Sequence, residues 1–402
     1  MAQLQMTFAV VALCLLAAHA GVVPPTLRDD ADARLTTPEL IVKYGYPAEA
    51  HSVETSDGYI LGVHRIPHGK GMDSSVKRPA ILLQHGLMSS SADWVIMGPN
   101  ISLAYLLADA GYDVWLGNKR GNTYSRAHVS LDPNSEEFWQ FSWHQMGVYD
   151  LPAVIDYIIQ ETGQEKIYYV GHSMGTTMFY VMGAKVPEYN DKIRAMVSLA
   201  PVAYMSHMTS PLIQLLSAYE TNLDWLLDLI GGFEFLPHSE LFTLIGQAAC
   251  NEQAVTSAIC SNAIFLVCGF DSKQLDVSKL PAIMGHDPAG SSTMEFIHYG
   301  QEVTSGHFRE YDYGALKNMV VYGQVTPPDY DLSKVTAPVF LHYSDNDWLA
   351  AVEDVDRLSK ELGNLAGMVK VPDEDFNHMD YLWAVDAPTL VYNTVMEELK
   401  SY

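Results

Sequence analysis

The stretch IYYVGHSMGTTMFYVMGA, residues Ile167–Ala184, decides how this chain is read. Ile167–Val170 is a β-branched and aromatic run, and Thr176–Ala184 is made of residues that a helix tolerates. Between them Ser173 stands two residues from Gly171 and two from Gly175. A Gly-x-Ser-x-Gly turn between a buried strand and a helix forces the serine into strained backbone angles and lifts its Oγ above the sheet. The flanking positions approach neighbouring backbone, where a side chain would clash and glycine fits. The helix start behind the serine offers free N–H groups to developing negative charge. The competing reading is a polar residue in a tight turn, so Ser173 must be judged by its partners.

Working outward, strand and helix patterns alternate. TSDGYILGVHRI (Thr55–Ile66) reads as half of a β-hairpin, and RPAILLQHGL (Arg78–Leu87) as a buried strand entering a loop. NISLAYLLADAGY (Asn100–Tyr112) is a helix ending near Gly111, and DVWLGNKRGNTYSR (Asp113–Arg126) a strand running into a polar loop. Met146–Gly163 places Leu151, Ile155, Ile158 and Ile159 on one helical face. Ala195–Ala203 and Ala337–Asp347 are further strands. This rhythm predicts an α/β fold with a mostly parallel sheet and right-handed crossovers. It breaks over residues 204–328, read as an inserted, largely helical cap between core segments 21–203 and 329–402. Residues 21–35, rich in Pro and Asp, are expected to form an exposed arm.

A nucleophilic serine needs a base and a group that orients the base. On an α/β sheet the expected chain order is serine, carboxylate, histidine. FLHYSDNDWLA offers Asp345 and Asp347, and the residues alone leave that choice open. His378 in VPDEDFNHMDYLWAV is the candidate base. The oxyanion of an attacked carbonyl would be met by the N–H groups of Met174 and Leu87, the latter in the LLQHGL loop. His342 lies within an apolar strand and reads as a core histidine; His85 and His172 read as scaffold. His64 and His68 have helical ligand spacing but sit in strand and turn, so no metal site is assigned. DNDWLAAVEDVD lacks the central glycine and spacing of a calcium loop.

The 402 residues are 48% hydrophobic, enough for a sizeable core. Lys plus Arg number 23 against 48 Asp plus Glu, a net charge of −25 that repels nucleic acid and anionic membrane surfaces. Residues 1–20, MAQLQMTFAVVALCLLAAHA, carry no charged side chain, and Phe8–Ala18 leads into Ala18-His19-Ala20, the mark of a secretory signal peptide. No later segment has transmembrane length, so no stable membrane insertion is expected. Beyond the signal remain Cys250, Cys260 and Cys268, an odd number in a compartment that favours disulfides. Asn100-Ile101-Ser102 is a sequon for N-glycosylation.

LLQHGL, AYLLADAGYDVWLGNKRGNTYSR, GHSMGTT, CSNAIFLVCGFD, YDYGALKNMVVYGQVTPPDYDLS and NHMDYLWAVDAPTLVYN, in this order, closely resemble the acid lipase family. That family includes gastric, lysosomal and insect digestive lipases, and DYDLSK is most like the insect members. The resemblance runs from about Leu40 to the C-terminus. It implies an α/β-hydrolase fold with a helical cap, no cofactor, and hydrolysis of triacylglycerols or cholesteryl esters. It implies a triad of Ser173, Asp347 and His378, with Asp347 chosen because it directly precedes the apolar pair Trp348-Leu349. It implies oxyanion donors at Leu87 and Met174, a Cys250–Cys260 disulfide in the cap, and Cys268 as a free thiol. Met174 departs from the glutamine common in the family, which leaves the backbone donor intact. The reading is a secreted serine lipase acting on neutral lipid at an oil–water interface, with lysosomal residence as the alternative. Its rivals are a soluble carboxylesterase of the same fold and a non-catalytic, yolk-type lipid-binding protein.

Overall fold

Every residue of Ala80–Gln84, Asp113–Gly117 and Ile167–His172 is buried. Strands covered on both faces read as continuous apolar runs, as in a parallel sheet between helical layers. The computed structural model describes residues 31–211, 214, 232–235, 265 and 267–402. In chain order the strands are β1 (Glu49–Glu54), β2 (Ile60–Ile66), β3 (Ala80–Gln84), β4 (Asp113–Gly117) and β5 (Ile167–His172). They continue with β6 (Ile193–Leu199), β7 (Glu234–Phe235), β8 (Ser291–Ser292), β9 (Val339–Tyr343) and β10 (Leu365–Lys370).

Eight strands form one sheet in the order β1-β2-β4-β3-β5-β6-β9-β10. The β1–β2 and β2–β4 pairs are antiparallel, and every later neighbour is parallel. From β3 the chain winds outward to β4; from β5 it winds the other way through β6, β9 and β10. The reversal lies between β3 and β5, and the crevice at their carboxyl ends is where open α/β sheets bind ligands.

Among the covering helices are α1 (Thr37–Lys43), α2 (Leu103–Asp109), α3 (Leu151–Thr162) and α4 (Met174–Lys185). Helix α3 is preceded by a wide turn at Met146–Asp150 and closes on Gly163 in the left-handed conformation, φ 66°. Helix α4 is buried from Met174 to Ala184, because it lies against the centre of the sheet. Further along come α5 (Leu280–His286), α6 (Thr293–Ser305), α7 (Val352–Glu361) and α8 (Asn393–Lys400).

The Pro- and Asp-rich arm differs from expectation in its described part. Asp32 and Ala33 are buried, and the Asp32 carbonyl accepts from His286 Nε2 at 2.8 Å. The Asp32 carboxylate pairs with Lys43 and accepts from Tyr44 Oη at 2.7 Å. An acidic side chain here ties the arm to α1 while its backbone docks on α5. The proposed insertion 204–328 falls between β6 and β9, and its residues 212–213, 215–231, 236–264 and 266 lie outside the described residues, as do Cys250, Cys260 and the signal segment. Tyr204, Met205 and Met208, at its start, still pack in the main hydrophobic core.

Candidate active site

Ser173 joins β5 to α4 with φ 53° and ψ −120°. A non-glycine residue held there stores about 1–3 kcal/mol of strain. A Cβ on Gly175 would lie 2.3 Å from the Gln84 carbonyl oxygen, and one on Gly171 would lie 2.8 Å from Gly175 backbone. The two glycines are what lets β5, α4 and the end of β3 meet around the serine.

Three strand ends converge there. Ser173 Oγ lies 2.8 Å from His378 Nε2. His378 Nδ1 lies 2.9 and 2.8 Å from the two carboxylate oxygens of Asp347. A carboxylate only accepts, so Nδ1 carries the proton and the Nε2 lone pair faces the serine. Asp347, in the loop after β9, also accepts from the N–H groups of Leu349 and Ala350 at 2.9 and 2.8 Å. Burial alone would raise its pKa, but the facing imidazole and those two N–H bonds outweigh it and hold the carboxyl below its usual range. Asp347 and His378 are nearly fully buried, whereas Ser173 keeps partial access.

Asp345, the other candidate acid, is turned to the surface, where it pairs with Lys370 at the end of β10. His342 is buried in β9 against Glu398 at 2.7 Å. His64 Nδ1 meets Ser91 Oγ at 2.8 Å, and His68 Nδ1 meets the Gly69 carbonyl at 2.9 Å; the two are not brought together. Asn100 is exposed at the turn before α2.

The expected oxyanion amides, Leu87 after β3 and Met174 at the head of α4, donate to no protein acceptor among the described residues. Gly86 lies beside Ser173, since a Cβ there would be 3.1 Å from Ser173 Cβ. His85 and His172 brace the surroundings. His85 Nε2 accepts from the Lys119 N–H at 3.2 Å, which leaves Nδ1 to donate to the Gly86 carbonyl at 2.8 Å. His172 Nε2 donates to the His378 carbonyl at 2.8 Å. Burial pushes both imidazoles down to about 3, so neither carries charge near the site. The Met174 side chain is packed within the main hydrophobic cluster.

One contributor went unforeseen. The Cys268 carbonyl accepts from His378 N–H at 3.3 Å and Trp348 N–H at 3.4 Å, joining the histidine loop to the acid loop. It acts through its backbone, for which sequence carries no signal. Its thiol is free and buried, and burial raises the pKa of that thiol well above the ordinary range.

Comparison with known proteins bears on the chemistry of this constellation. A family model described as "alpha/beta hydrolase fold" matches residues 79–384, and a "Partial alpha/beta-hydrolase lipase region" matches residues 37–98. The chain is 46% identical over 367 residues to gastric triacylglycerol lipase of Rattus norvegicus, covering 91% of each protein. It is 44% identical to Lipase 3 of Drosophila melanogaster, over 90% of this chain and 92% of that one. The chain belongs to the acid lipase family. The lysosomal acid lipase/cholesteryl ester hydrolase of Homo sapiens is 39% identical over 93% of this lipase and 92% of the relative. Among solved structures, the complex of DcsB with its substrate analogue superposes with a TM-score of 0.52 at 13% identity, covering 88% and 99% of the two chains. Epoxide hydrolase VrEH1 of Vigna radiata reaches 0.50 at 17% identity, covering 88% and 98%. These two likenesses concern the fold alone, which hosts more than one chemistry. No helix among the described residues of this lipase is long and apolar enough to cross a membrane.

Proposed function

We propose that the chain is a metal-independent serine hydrolase of neutral lipid esters, with Ser173 as nucleophile, His378 as general base and Asp347 as its orienting acid. The observation that carries the reading is the continuous relay from Ser173 Oγ to His378 Nε2 at 2.8 Å and from Nδ1 to Asp347 at 2.8 Å, beside two amides that donate to no acceptor among the described residues.

As Ser173 Oγ attacks the ester carbonyl carbon, its proton passes to His378 Nε2. The carbonyl oxygen becomes an oxyanion received by the N–H groups of Leu87 and Met174, which are fixed before the reaction and need no reorganisation. The buried Asp347 carboxylate stabilises the new imidazolium. His378 then protonates the departing alkoxide, leaving an acyl-Ser173 intermediate. A water activated by the same histidine releases the fatty acid.

The lipid class follows from the relatives, several of which are named as triacylglycerol lipases or cholesteryl ester hydrolase. The same names support residence in a secretory or lysosomal compartment, in keeping with the uncharged leader and with glycosylation at the exposed Asn100. A Cys250–Cys260 bridge in the cap belongs to the same reading. The test is hydrolysis of emulsified long-chain triacylglycerol against a soluble short-chain ester, with Ser173→Ala as control. Serine-dependent activity on the emulsion supports the lipase; activity on the soluble ester alone makes it a carboxylesterase. Absence of both, in folded protein, favours the lipid-binding alternative.

A further inference from the structure

The loop that carries the Leu87 amide is anchored by a segment about two hundred residues away. Met88, the next residue, has φ 59°, in the left-handed region where a non-glycine side chain is strained. Both of its backbone groups are engaged by the chain between α5 and α6. Met88 N–H donates to Ser291 Oγ at 3.1 Å, and the Met88 carbonyl accepts from Ala289 N–H at 2.6 Å. The Ala289 carbonyl in turn accepts from Thr123 N–H at 2.8 Å, in the polar loop after β4.

Ser291 is fully buried, and its hydroxyl oxygen also accepts from Lys119 Nζ at 3.1 Å. Lys119 Nζ continues to Glu295 at 3.2 Å and to the Gly290 carbonyl at 3.4 Å. Both charged side chains are wholly removed from solvent. Burial works against the charge on each, lowering the Lys119 pKa and raising that of Glu295, and their mutual attraction opposes it. Glu295 Oε1 also accepts from Ser292 N–H at 2.7 Å, so the ion pair is built into the start of α6. A buried pair of this kind is costly unless each partner is well bonded, and here it fixes one short strand.

The direction of the Leu87 N–H is set by two peptide planes. The Gly86 carbonyl shares a plane with the Leu87 N–H and is held by His85 Nδ1 at 2.8 Å. The Met88 N–H lies in the following plane, on the far side of the Leu87 Cα, and is held by Ser291. With both planes pinned, the Leu87 amide has a single aim. Ser291 belongs to β8, which pairs with β7 through Phe235↔Ser291 and Glu234↔Ser292.

We propose that Ser291, backed by the Lys119–Glu295 pair, is a positioning residue of the oxyanion hole that links the aim of the Leu87 amide to the seating of the β7–β8 ribbon. This rests on the oxyanion role assigned to Leu87 under the proposed function. The test compares wild type, Ser291→Ala and Ser291→Thr on a soluble short-chain ester, with an alkylboronic acid as inhibitor. The boronate forms a tetrahedral adduct on the serine and reports the hole directly. Removing a whole oxyanion donor costs about 10²–10³-fold in kcat, and a misaimed donor is expected to cost about 10-fold. Ser291→Ala should therefore lower kcat about 10-fold, change KM less than about twofold, and raise the boronate Ki in step, with Ser291→Thr restoring most of both. A folded Ser291→Ala with kcat and Ki within about twofold of wild type overturns the proposal, as does a kcat loss without a change in Ki. Should the alanine variant not fold, Ser291→Cys, nearly isosteric and a weak acceptor, carries the same criteria. A wild type that boronate does not inhibit would instead overturn the reading of the site itself.

Discussion

Replacing Asp347 by asparagine separates the two carboxylates that the sequence leaves side by side. The aspartate accepts four contacts: His378 Nδ1 on both oxygens, and the N–H groups of Leu349 and Ala350 on Oδ1. An asparagine can keep Oδ1 toward the two backbone donors, which places its NH2 against His378. The opposite orientation would set that NH2 against two N–H donors, an arrangement costing about 1–3 kcal/mol for each unsatisfied buried group. The amide therefore faces the imidazole as a donor, and Nδ1 must become the acceptor. The ring proton moves to Nε2, 2.8 Å from Ser173 Oγ, and the base can no longer take the serine proton. Loss of the correct tautomer costs about 10⁴ in kcat in a Ser-His-Asp protease, or about 5.4 kcal/mol at about 1.36 kcal/mol per decade. The expected result is a kcat reduced by about 10³–10⁴ with little change in KM or thermal midpoint. The control is Asp345→Asn, which loses only a half-exposed pair with Lys370 and should stay within about twofold of wild type. Steady-state hydrolysis of a chromogenic short-chain ester reads both. An Asp347→Asn enzyme retaining a tenth of the activity, or an Asp345→Asn enzyme losing it, would refute the assignment.

Three further outcomes follow from the same geometry. Gly175→Ala places a methyl 2.3 Å from the Gln84 carbonyl oxygen with no side chain able to yield, so a loss of about 3 kcal/mol or failure to fold is expected in urea denaturation. Cys268→Ser exchanges a buried thiol for a hydroxyl but keeps the carbonyl that holds His378 and Trp348; kcat should stay within about threefold while stability falls by about 1–3 kcal/mol. Burial and the neighbouring Asp271 and Asp373 push the Asp380 carboxyl up to about 8. The folded chain then keeps a proton that the unfolded chain releases near pH 4, and stability falls by about 1.4 kcal/mol per pH unit through that window. Asp380→Asn removes the slope, so relative to wild type it should gain stability on going from pH 5 to pH 8, read by chemical denaturation at each pH.

What the sequence disclosed is set by where chemistry constrains residue type. Ser173 stands between glycines and His378 lies in a late loop, so local pattern and chain order single out both as candidates but narrow the acid only to a pair. The choice between Asp345 and Asp347 was closed to local reasoning, because Lys370 reaches Asp345 from another strand. Strand β10, with the sequence Leu-Ala-Gly-Met-Val-Lys and a half-exposed edge, offers no β-branched run and passed unread. The arm at Asp32 reads as polar and exposed, yet its docking depends on Lys43 in the following helix and on His286, 254 residues further on. The support of the Leu87 loop is the least legible feature. Met88 and Ser291 lie 203 residues apart, and Lys119 and Glu295 lie 176 apart, with no periodicity to mark them.

The buried titratable groups oppose one another in a way that suits an acidic chain. Burial pushes His64 and His144 down to about 4 and His85 and His172 to about 3, so the folded state keeps them neutral. Each is a base with a lowered pKa: the unfolded chain binds its proton below about 6.5, and each withdraws about 1.4 kcal/mol of stability per pH unit from there down to its folded value of about 3 or 4. Alone, four such residues would make the fold acid-labile. Burial acts in the reverse sense on Asp380, Glu302 and the adjoining Asp93 and Asp287, whose carboxyl pKa values are all raised. Their protons stay on in the folded chain after the unfolded chain has lost them, so their contribution is present at low pH and fades as pH rises. Between about pH 4 and 6.5 the two sets pull stability in opposite directions, and the slope that remains is their difference. The same protons lower the negative charge of the folded chain, formally −25 near neutrality, and so relieve self-repulsion where carboxylates begin to protonate. Replacing the carboxyls singly should therefore steepen the acid limb of the stability profile, and replacing the histidines should flatten it.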